Sequence, residues 1–329
     1  MKIRKLYLII ILLAFLLQNC STPLKTLTIE TINPSAINFP GNLNKMAFIN
    51  FENDFNSDGE IDTLLYKMIT SEMAIGFRDA TYSAAGIDTS SLLYVNGFPD
   101  KERFYYKDTV DWEYLDQISG NRFADLFVVL DSLKLAMDSD QFAIDFYEPI
   151  EYYIYREIAV RAHWKVFDLV ERKQLDDYVY VDTLLWDGLS YFKSELKKKL
   201  PSVERSLRET SYFTALDYAN RILPNWQTET RYYFDSGNPD FEKAAKLVDQ
   251  NKWTEAAELW DKYIDDIDRE IASRATFNMA LASEMLGELE LAVKYAERSY
   301  RIKSKSRTKY YIYTLQKRLE EFKKLQNQI

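Results

Sequence analysis

The stretch that decides the fold of the N-terminal half of the chain is Glu151-Tyr152-Tyr153-Ile154-Tyr155-Arg156-Glu157-Ile158-Ala159-Val160-Arg161-Ala162-His163-Trp164-Lys165-Val166-Phe167-Asp168. Successive side chains of a β-strand point to opposite faces. One face of this stretch is apolar and carries Ile154, Ile158, Val160, Ala162, Trp164 and Val166. The other face carries Arg161, His163 and Lys165. The alternation predicts one long strand, buried on one side, from Glu151 to Asp168.

The residues around this strand predict a mixed α/β domain over residues 45–200. A turn at Glu171–Gln174 and a returning strand at Tyr178–Leu185 complete an antiparallel hairpin. Upstream, short apolar runs predict buried strands at Lys45–Phe51 and Ala124–Leu130. Apolar residues from Ile61 to Met73 recur at helical spacing, and Asp111 to Ile118 predicts a second helix. Strands that alternate with helices and then form a meander favour an α/β sandwich.

The C-terminal part of the sequence is predicted to be helical. Helical patterns cover Ser190–Lys199 and Ser202–Leu223, and no convincing strand follows Leu189. We therefore expect a helical connector over 201–236 and an all-α stack of repeats over 237–329, with Gly237-Asn238-Pro239 at the boundary.

An internal repeat supports the stack. The segment Asn251–Trp260 aligns with Gly287–Ala296, at an offset near the roughly 34-residue period of tetratricopeptide repeats. The match resembles that family. Asn251 and Gly287 suit a left-handed turn between two helices, and small Ala256 and Ala292 allow the paired helices to approach closely. The usual repeat-ending proline is absent, and two repeats are clear.

The resemblance implies a groove that binds a peptide or a partner protein. Its expected contact residues are Trp253, Trp260, Asn278 and Tyr295. Large side chains at these positions are also typical of the buried core between paired helices. A stack that only braces the first domain is therefore the alternative.

The first twenty residues resemble a bacterial lipoprotein signal. Lys2, Arg4 and Lys5 precede an apolar run, Leu6–Leu17, and Leu17-Gln18-Asn19-Cys20 follows the lipobox pattern at its leucine and cysteine but not at Gln18 and Asn19. The run is about twelve residues, and a transmembrane helix needs about twenty. The resemblance implies a signal peptide over 1–19, cleavage before Cys20, and acyl chains on Cys20 as the membrane anchor. Residues 20–44, which carry Pro23, Pro34 and Pro40, are expected to form a tether, and the alternation at Leu27–Glu30 indicates a short edge strand within it.

Composition excludes several classes of protein. The net charge is −9 and there is no basic stripe, so nucleic acid is not an expected partner. The chain has one cysteine and one histidine, which rules out an internal disulfide and disfavours zinc or a histidine-based triad. His163 is expected to be a satisfied surface residue. We expect no cofactor.

One loop resembles a calcium site. Asp54-Phe55-Asn56-Ser57-Asp58-Gly59-Glu60-Ile61-Asp62 follows the start of the calcium-loop pattern, with Asp54, Asn56, Asp58 and Glu60 as candidate ligands. Position twelve, which is normally a bidentate Glu, is Leu65. Acidic residues also favour the turn before a helix, with Ser57 as N-cap and Glu60 reaching back, and we favour that interpretation.

Along its mature length the chain resembles an uncharacterised lipoprotein family of Bacteroidetes-type bacteria. The resemblance rests on the lipobox and on four short motifs: Pro34-Ser35-Ala36-Ile37, Lys45-Met46-Ala47-Phe48, Pro224-Asn225-Trp226 and Arg231-Tyr232-Tyr233. The order of strands and helices is also similar to α/β domains of envelope-assembly lipoproteins, such as the curli secretion channel and penicillin-binding-protein activators. These resemblances imply a location and an architecture, and fold alone does not assign an activity.

The sequence thus predicts a lipid-anchored protein of the cell envelope, at the outer membrane and facing the periplasm. Its expected role is to bind or scaffold a protein partner, without catalysis. The alternative is a glycan-binding lipoprotein, because the chain carries 24 Tyr, 19 Phe and 6 Trp. A carboxylate-based enzyme is a third hypothesis, which needs two close acids in a deep pocket.

Overall fold

The structure is a computed structural model, and it describes residues 24–38, 45–51, 63–84, 92–98, 101–106, 109–118, 124–145 and 149–326. The strands are β1 Lys25–Asn33, β2 Met46–Phe51, β3 Leu92–Phe98, β4 Tyr105–Tyr106, β5 Thr109–Val110, β6 Leu126–Ile144, β7 Glu151–Asp168, β8 Lys173–Ser190 and β9 Asn225–Tyr233. The helices are α1 Thr63–Ser83, α2 Lys101–Phe104, α3 Trp112–Ile118, α4 Val203–Ile222, α5 Pro239–Val248, α6 Trp253–Asp261, α7 Arg269–Met285, α8 Leu289–Ile302 and α9 Ser306–Gln326, and a 3₁₀ helix covers Lys193–Lys199.

The described residues form two compact units. One contains residues 32–226, and the other contains residues 24–31 and 227–324. The first is mixed α/β and the second is mainly helical, so the predicted change from a mixed sheet to a helical C-terminal region is confirmed.

A five-stranded mixed sheet forms the centre of the first unit, in the order β3-β2-β6-β7-β8. Strand β2 runs parallel to both of its neighbours, whereas β6, β7 and β8 pair antiparallel. Ala162 of β7 lies between Leu133 of β6 and Tyr180 of β8. The predicted long strand has the bounds that its alternating pattern indicates.

Each face of the sheet has a core of its own. On one face, Trp164 stacks on Tyr218 of α4 with ring centroids 4.6 Å apart, and Phe48 stacks on Phe77 of α1. On the other face, Phe104 packs edge-on against Phe51 and Phe167. The sheet is therefore buried on both sides near β2, which explains why β2 is apolar except at Asn50, whose side chain donates to the Tyr66 hydroxyl.

The sheet continues past β2 as a three-stranded ribbon. Strand β2 pairs with residues 126–130 of β6, but β6 stays paired with β7 as far as Ile144. The sequence pattern predicts only the first part of this strand, Ala124–Leu130. The distal residues are mostly exposed and mix polar with apolar side chains, so no continuous apolar run marks them as a strand. Their strand conformation follows from the backbone hydrogen bonds to β7.

The second unit packs consecutive helices from α5 to α9 around a core that includes Phe241, Trp260, Ala280 and Leu315. The turn between α5 and α6 has Asn251 at φ 60°, and the turn between α7 and α8 has Gly287 at φ 81°. Both values lie in the left-handed region that the sequence predicts for these two positions.

Two expectations differ from the structure. Asn225–Tyr233 is the strand β9, although the sequence predicts a helical connector there and no strand after Leu189. Its partner is β1, which lies within the segment expected to be a tether. Strand β9 gains its hydrogen bonds from a segment far away in sequence, which a local pattern does not reveal, whereas the alternation at Leu27–Glu30 predicts part of β1. In the described part of the chain, no helix is long and apolar enough to cross a membrane.

Candidate functional site

A cleft of about 480 Å³ lies between β9 and α9 in the second unit. Its walls come from Glu229, Thr230, Arg231 and Tyr232 on β9, from Phe277 on α7, and from residues of α9 and its N-terminal turn: Arg307, Tyr310, Tyr311, Tyr313, Thr314, Lys317, Arg318 and Glu321. The cleft is thus rich in tyrosine and in cations.

Exposed tyrosine rings form the rim of the cleft. Tyr310 is 70% exposed and Tyr313 is 66% exposed, and their spacing of three residues places them on neighbouring parts of one helix surface. Tyr232 on the facing strand is also exposed, and the guanidinium of Arg307 lies 5.6 Å from the centroid of its ring. Exposed aromatic rings beside a cation are typical of surfaces that bind partners.

Arg231, Tyr311 and Arg318 form the floor of the cleft, and a buried carboxylate beneath them holds it in place. The side chain of Glu284 is fully buried and accepts hydrogen bonds from Arg231 Nε at 3.0 Å and from the Tyr311 hydroxyl at 2.6 Å. Arg318 also pairs with Glu284. Two cations and a hydroxyl therefore satisfy one buried acid, which is the arrangement that a buried charge requires.

These contacts fix the protonation of the floor. Burial acts to lower the pKa of Arg231, but Glu284 and Glu229 outweigh it and the pKa is raised. Burial, with the charge of Glu284, raises the pKa of Tyr311 well above its usual value. Arg231 stays charged and Tyr311 stays a donor at every physiological pH.

The cleft carries a positive charge excess on an acidic protein. Arg231, Arg307, Lys317 and Arg318 line it, against the carboxylates of Glu229 and Glu321 and the buried Glu284. Lys317 pairs with Glu321 at 3.3 Å. Within the part of the chain that the structure describes, no carboxylate pairs with Arg307, so its charge is available to an anionic ligand.

The four residues expected to contact a partner are placed mainly in the interior. Trp260 and Asn278 are fully buried and Trp253 is 6% exposed, whereas Tyr295 is half-buried. Asn278 donates to the carbonyl of Phe234 and accepts from its backbone N–H. Trp253, Trp260 and Asn278 therefore fill the core between the helices, and the exposed aromatic surface lies at the cleft instead.

A different aromatic surface lies on the first unit. We call the face of the ribbon that carries Arg161 and His163 its bare face. On this face the ring centroids of Tyr153 and Tyr155 are 6.3 Å apart and the rings are inclined by 29°, and the ring centroid of Phe142 lies 5.2 Å from that of Tyr153. The Tyr153 hydroxyl donates to Asp187, and the Tyr155 hydroxyl donates to Asp138 at 2.7 Å. The bond to Asp138 raises the pKa of Tyr155 to about 12. We call Phe142, Tyr153 and Tyr155 the ring cluster.

His163 lies in a network of charged side chains on the polar face of β7. Its Nδ1 is 3.3 Å from Asp131 and its Nε2 is 2.6 Å from Asp177. Asp131 occupies a β-bulge of β6 and also faces Lys165 at 3.5 Å. The bond from His163 lowers the pKa of Asp177. Both ring nitrogens are thus satisfied, as the sequence predicts for this residue.

Several predicted site residues lie outside the described residues. These are Cys20, with the signal segment 1–19, and the calcium-loop candidates Asp54, Asn56, Asp58 and Glu60. Among the residues that are described, no group of three or more His, Cys, Asp or Glu side chains is placed to hold a metal ion.

The cleft was missed by the sequence analysis, although a signal exists. Helix α9 carries an apolar stripe at helical spacing, which consists of Ile312, Leu315, Leu319 and Phe322. Tyr310, Tyr313 and Lys317 lie beside that stripe on the same helix, where exposed tyrosines have no packing role. Strand β9 supplies the facing wall, and its pairing with β1 is a tertiary feature.

Two family models match separate parts of the chain. Residues 92–234 match a domain of unknown function (DUF8603), and residues 242–317 match a second domain of unknown function (DUF6340). The matches fit an uncharacterised family and assign no activity. Most of the α9 wall of the cleft lies inside the second match. No curated protein matches the sequence.

Among solved structures, the chain is similar to the hypothetical protein CT253 from Chlamydia trachomatis. The two share 14% sequence identity, and the similarity covers 53% of this chain and 97% of that one, with a TM-score of 0.22. At this level of similarity, the structure of that protein adds nothing to the interpretation of the cleft.

Proposed function

We propose that this protein is a lipid-anchored envelope protein that binds a partner protein through the aromatic cleft, without catalysis. The observation that carries the proposal is the cleft itself, in which exposed Tyr310 and Tyr313 and the cation of Arg307 surround a rigid floor. Aromatic and arginine side chains supply most of the energy in protein interfaces. The anchor rests on the sequence around Cys20.

The architecture of the second unit supports a binding role. We infer that α5 to α8 are tetratricopeptide-like helix pairs, because the turns at Asn251 and Gly287 are left-handed and Ala256 and Ala292 are fully buried where helices approach. Stacked helix pairs expose an extended surface for a partner. Helix α9 then closes the stack and brings its tyrosines to β9.

The charge of the cleft indicates the kind of partner. An acidic segment of a protein would complement the positive excess around Arg307, and its apolar or aromatic side chains would pack on the tyrosine rim. The chain as a whole has a net charge of −9, which would disfavour binding of an acidic segment at other places and so favour the cleft.

Site-specific crosslinking tests the proposal. A photocrosslinking amino acid at position 310, on the cleft rim, should capture a defined envelope protein, whereas the same group at exposed position 301 should not. Arg307→Glu should abolish the capture, and the matched charge reversal Arg301→Glu should preserve it. Equal capture from both positions, or capture that is unaffected by Arg307→Glu, would refute the role of the cleft.

The anchor is tested separately. Cys20→Ala should lose acylation and leave the membrane fraction. A Cys20→Ala chain that remains in the membrane with unchanged mobility would contradict the lipid anchor and leave the cleft experiment unaffected.

The ring cluster favours a second candidate function, the binding of a glycan. Sugar rings stack on aromatic faces, and carboxylates accept hydrogen bonds from sugar hydroxyls. The ring cluster offers aromatic faces, and the neighbouring Asp187 and Asp138, which accept hydrogen bonds from the Tyr153 and Tyr155 hydroxyls, offer carboxylates. On a glycan array, the double variant Tyr153→Ala/Tyr155→Ala should lose binding and Tyr313→Ala should retain it. No binding by the unmodified protein would exclude this function.

A further inference from the structure

The ribbon of the first unit has two free edges. Among the described residues, strand β8 is the last strand of the sheet and pairs only with β7. Strand β6 pairs with β2 only as far as Leu130, so within the same described ranges its residues beyond that point have β7 as their one strand partner. An exposed edge of this length normally offers unpaired backbone N–H and C=O groups to another strand.

Three backbone N–H groups on these edges are occupied by side chains. Asp138 Oδ1 accepts from Ser139 N at 2.9 Å, and Asp140 Oδ1 accepts from Gln141 N at 2.7 Å. On the other edge, Asp182 Oδ1 accepts from Thr183 N at 2.8 Å. In each case an aspartate binds the N–H of the residue that follows it.

The positions of these hydrogen bonds match the geometry of the ribbon. N–H groups of an antiparallel strand point alternately to its two sides, so Ser139 and Gln141 direct theirs to the same side. All three donors lie on the outer strands β6 and β8. The register through β7 gives Thr183 the same outward orientation as Ser139, because Ser139 pairs with Arg156, Thr183 pairs with Ala159, and Arg156 and Ala159 direct their N–H groups to opposite sides of β7. The three N–H groups therefore belong to the outward rows.

We propose that the outer edges of β6 and β8 are latent pairing surfaces for a second copy of this chain, and that Asp138, Asp140 and Asp182 keep them closed. Each aspartate occupies an N–H that an added strand would need. The two aspartates of β6 also oppose pairing by their charge. If two copies paired antiparallel through their β6 edges about Asp140, the carboxylates of the two copies would come close together and repel each other.

The exposed apolar side chains on the bare face of the ribbon explain why we expect an open edge to pair with a second copy of this chain. Val181 is 64% exposed, and Leu185 and Leu189 on the same face are also exposed. The same face also carries charged side chains, among them Arg161, which pairs with Val181 across the sheet. Pairing of two edges would join the exposed apolar side chains of two copies into one larger surface, which is the usual route from an open edge to self-association. The closed edges keep the bare face available as a surface of a single copy.

Self-association of edge variants tests the proposal. The full chain, purified in detergent, is measured by sedimentation equilibrium at a solvent density that matches the detergent. We expect the unmodified chain to be monomeric. The variant Asp138→Ala/Asp140→Ala should associate, with a dimer dissociation constant at least about tenfold lower. A double variant that stays as monomeric as the unmodified chain would overturn the proposal.

Two further variants separate edge pairing from loss of folding. Adding Gln141→Pro to the double variant should restore the monomer, because proline lacks an N–H and is tolerated at strand edges. Association that persists in this triple variant would show that the edge is not the contact and would overturn the proposal. Tyr155→Phe removes the hydroxyl bond to Asp138 but leaves the bond to Ser139, so it should remain monomeric.

Discussion

Arg231 and Glu284 form a buried ion pair in which the guanidinium Nη2 lies 2.9 Å from Glu284 Oε1. The pair joins β9 to α7, and Arg318 adds a contact from α9. Three elements that are distant in sequence thus meet at one carboxylate. This shared carboxylate holds the floor of the cleft together, because removal of Glu284 would leave the buried Arg231 without its main partner.

Glu284→Ala should strongly destabilise the second unit. The substitution leaves Arg231 buried without its main partner, which typically costs about 3–5 kcal/mol. Urea unfolding followed by circular dichroism measures the change. The control is Glu288→Ala, since Glu288 is exposed and should change stability by less than about 0.5 kcal/mol. Equal unfolding midpoints for the two variants would contradict the role of the buried pair.

Asn278→Ala should also lower stability, in agreement with a structural role for this residue. The side-chain amide pairs with both the N–H and the C=O of Phe234, at 2.8 and 2.7 Å. Two buried backbone groups would lose their partner, at a cost of about 2–4 kcal/mol. Thermal unfolding is the measurement. Unchanged stability together with lost partner binding would instead support the contact role that the sequence suggested.

Stability should depend on pH through Glu270. Burial acts to raise its pKa, but hydrogen bonds from Lys303, Lys305 and Arg274 outweigh burial and lower the pKa from 4.5 to about 2. A carboxyl whose pKa is lowered by folding stabilises the folded state above its unfolded pKa, and that contribution is lost as pH falls towards the folded pKa.

The matched variant is Glu270→Gln, which cannot titrate. The difference in unfolding free energy between the unmodified chain and this variant should be constant above about pH 4.5 and should shrink between pH 4.5 and about 2. Chemical unfolding at a series of pH values measures it. A difference that stays constant down to pH 2 would show that the three cations do not stabilise the charged carboxylate.

Gly76→Ala should loosen the packing of α1 on α4. A Cβ at position 76 would lie 2.1 Å from the carbonyl oxygen of Tyr212, which is a backbone atom and cannot rotate away. Separation of the helices should cost at least about 1–3 kcal/mol. Ser71→Ala, at an exposed position of the same helix, should be close to neutral. The result to compare is the unfolding midpoint, and two equal midpoints would exclude close contact.

The sequence predicted features that depend on neighbouring residues. The strand Glu151–Asp168 was predicted with its bounds and its buried face, because alternation over many residues is a strong local signal. The left-handed turns at Asn251 and Gly287 were predicted for a similar reason, since few residues tolerate that conformation. Helix α4, at Val203–Ile222, lies within one residue of its predicted ends at Ser202 and Leu223.

Predictions failed where long-range pairing decides the structure. The distal half of β6 and the strand β9 have weak apolar patterns, and each is held by hydrogen bonds to a partner strand. The role of Trp253 and Trp260 was also undecided in the sequence, because helical spacing does not distinguish a groove from a core. In the structure Trp253 and Trp260 are both buried.

By itself, the sequence determined the long hairpin of β7 and β8, the sites of the tight helical turns and the change from a mixed sheet to a helical region. These features follow from the local preference of the backbone and from the period of apolar residues. Only the tertiary structure placed Glu284 beneath the tyrosines of α9 and opened two edges of the ribbon. The physical reason is that a buried ion pair and an unpaired strand edge both depend on which distant segments meet.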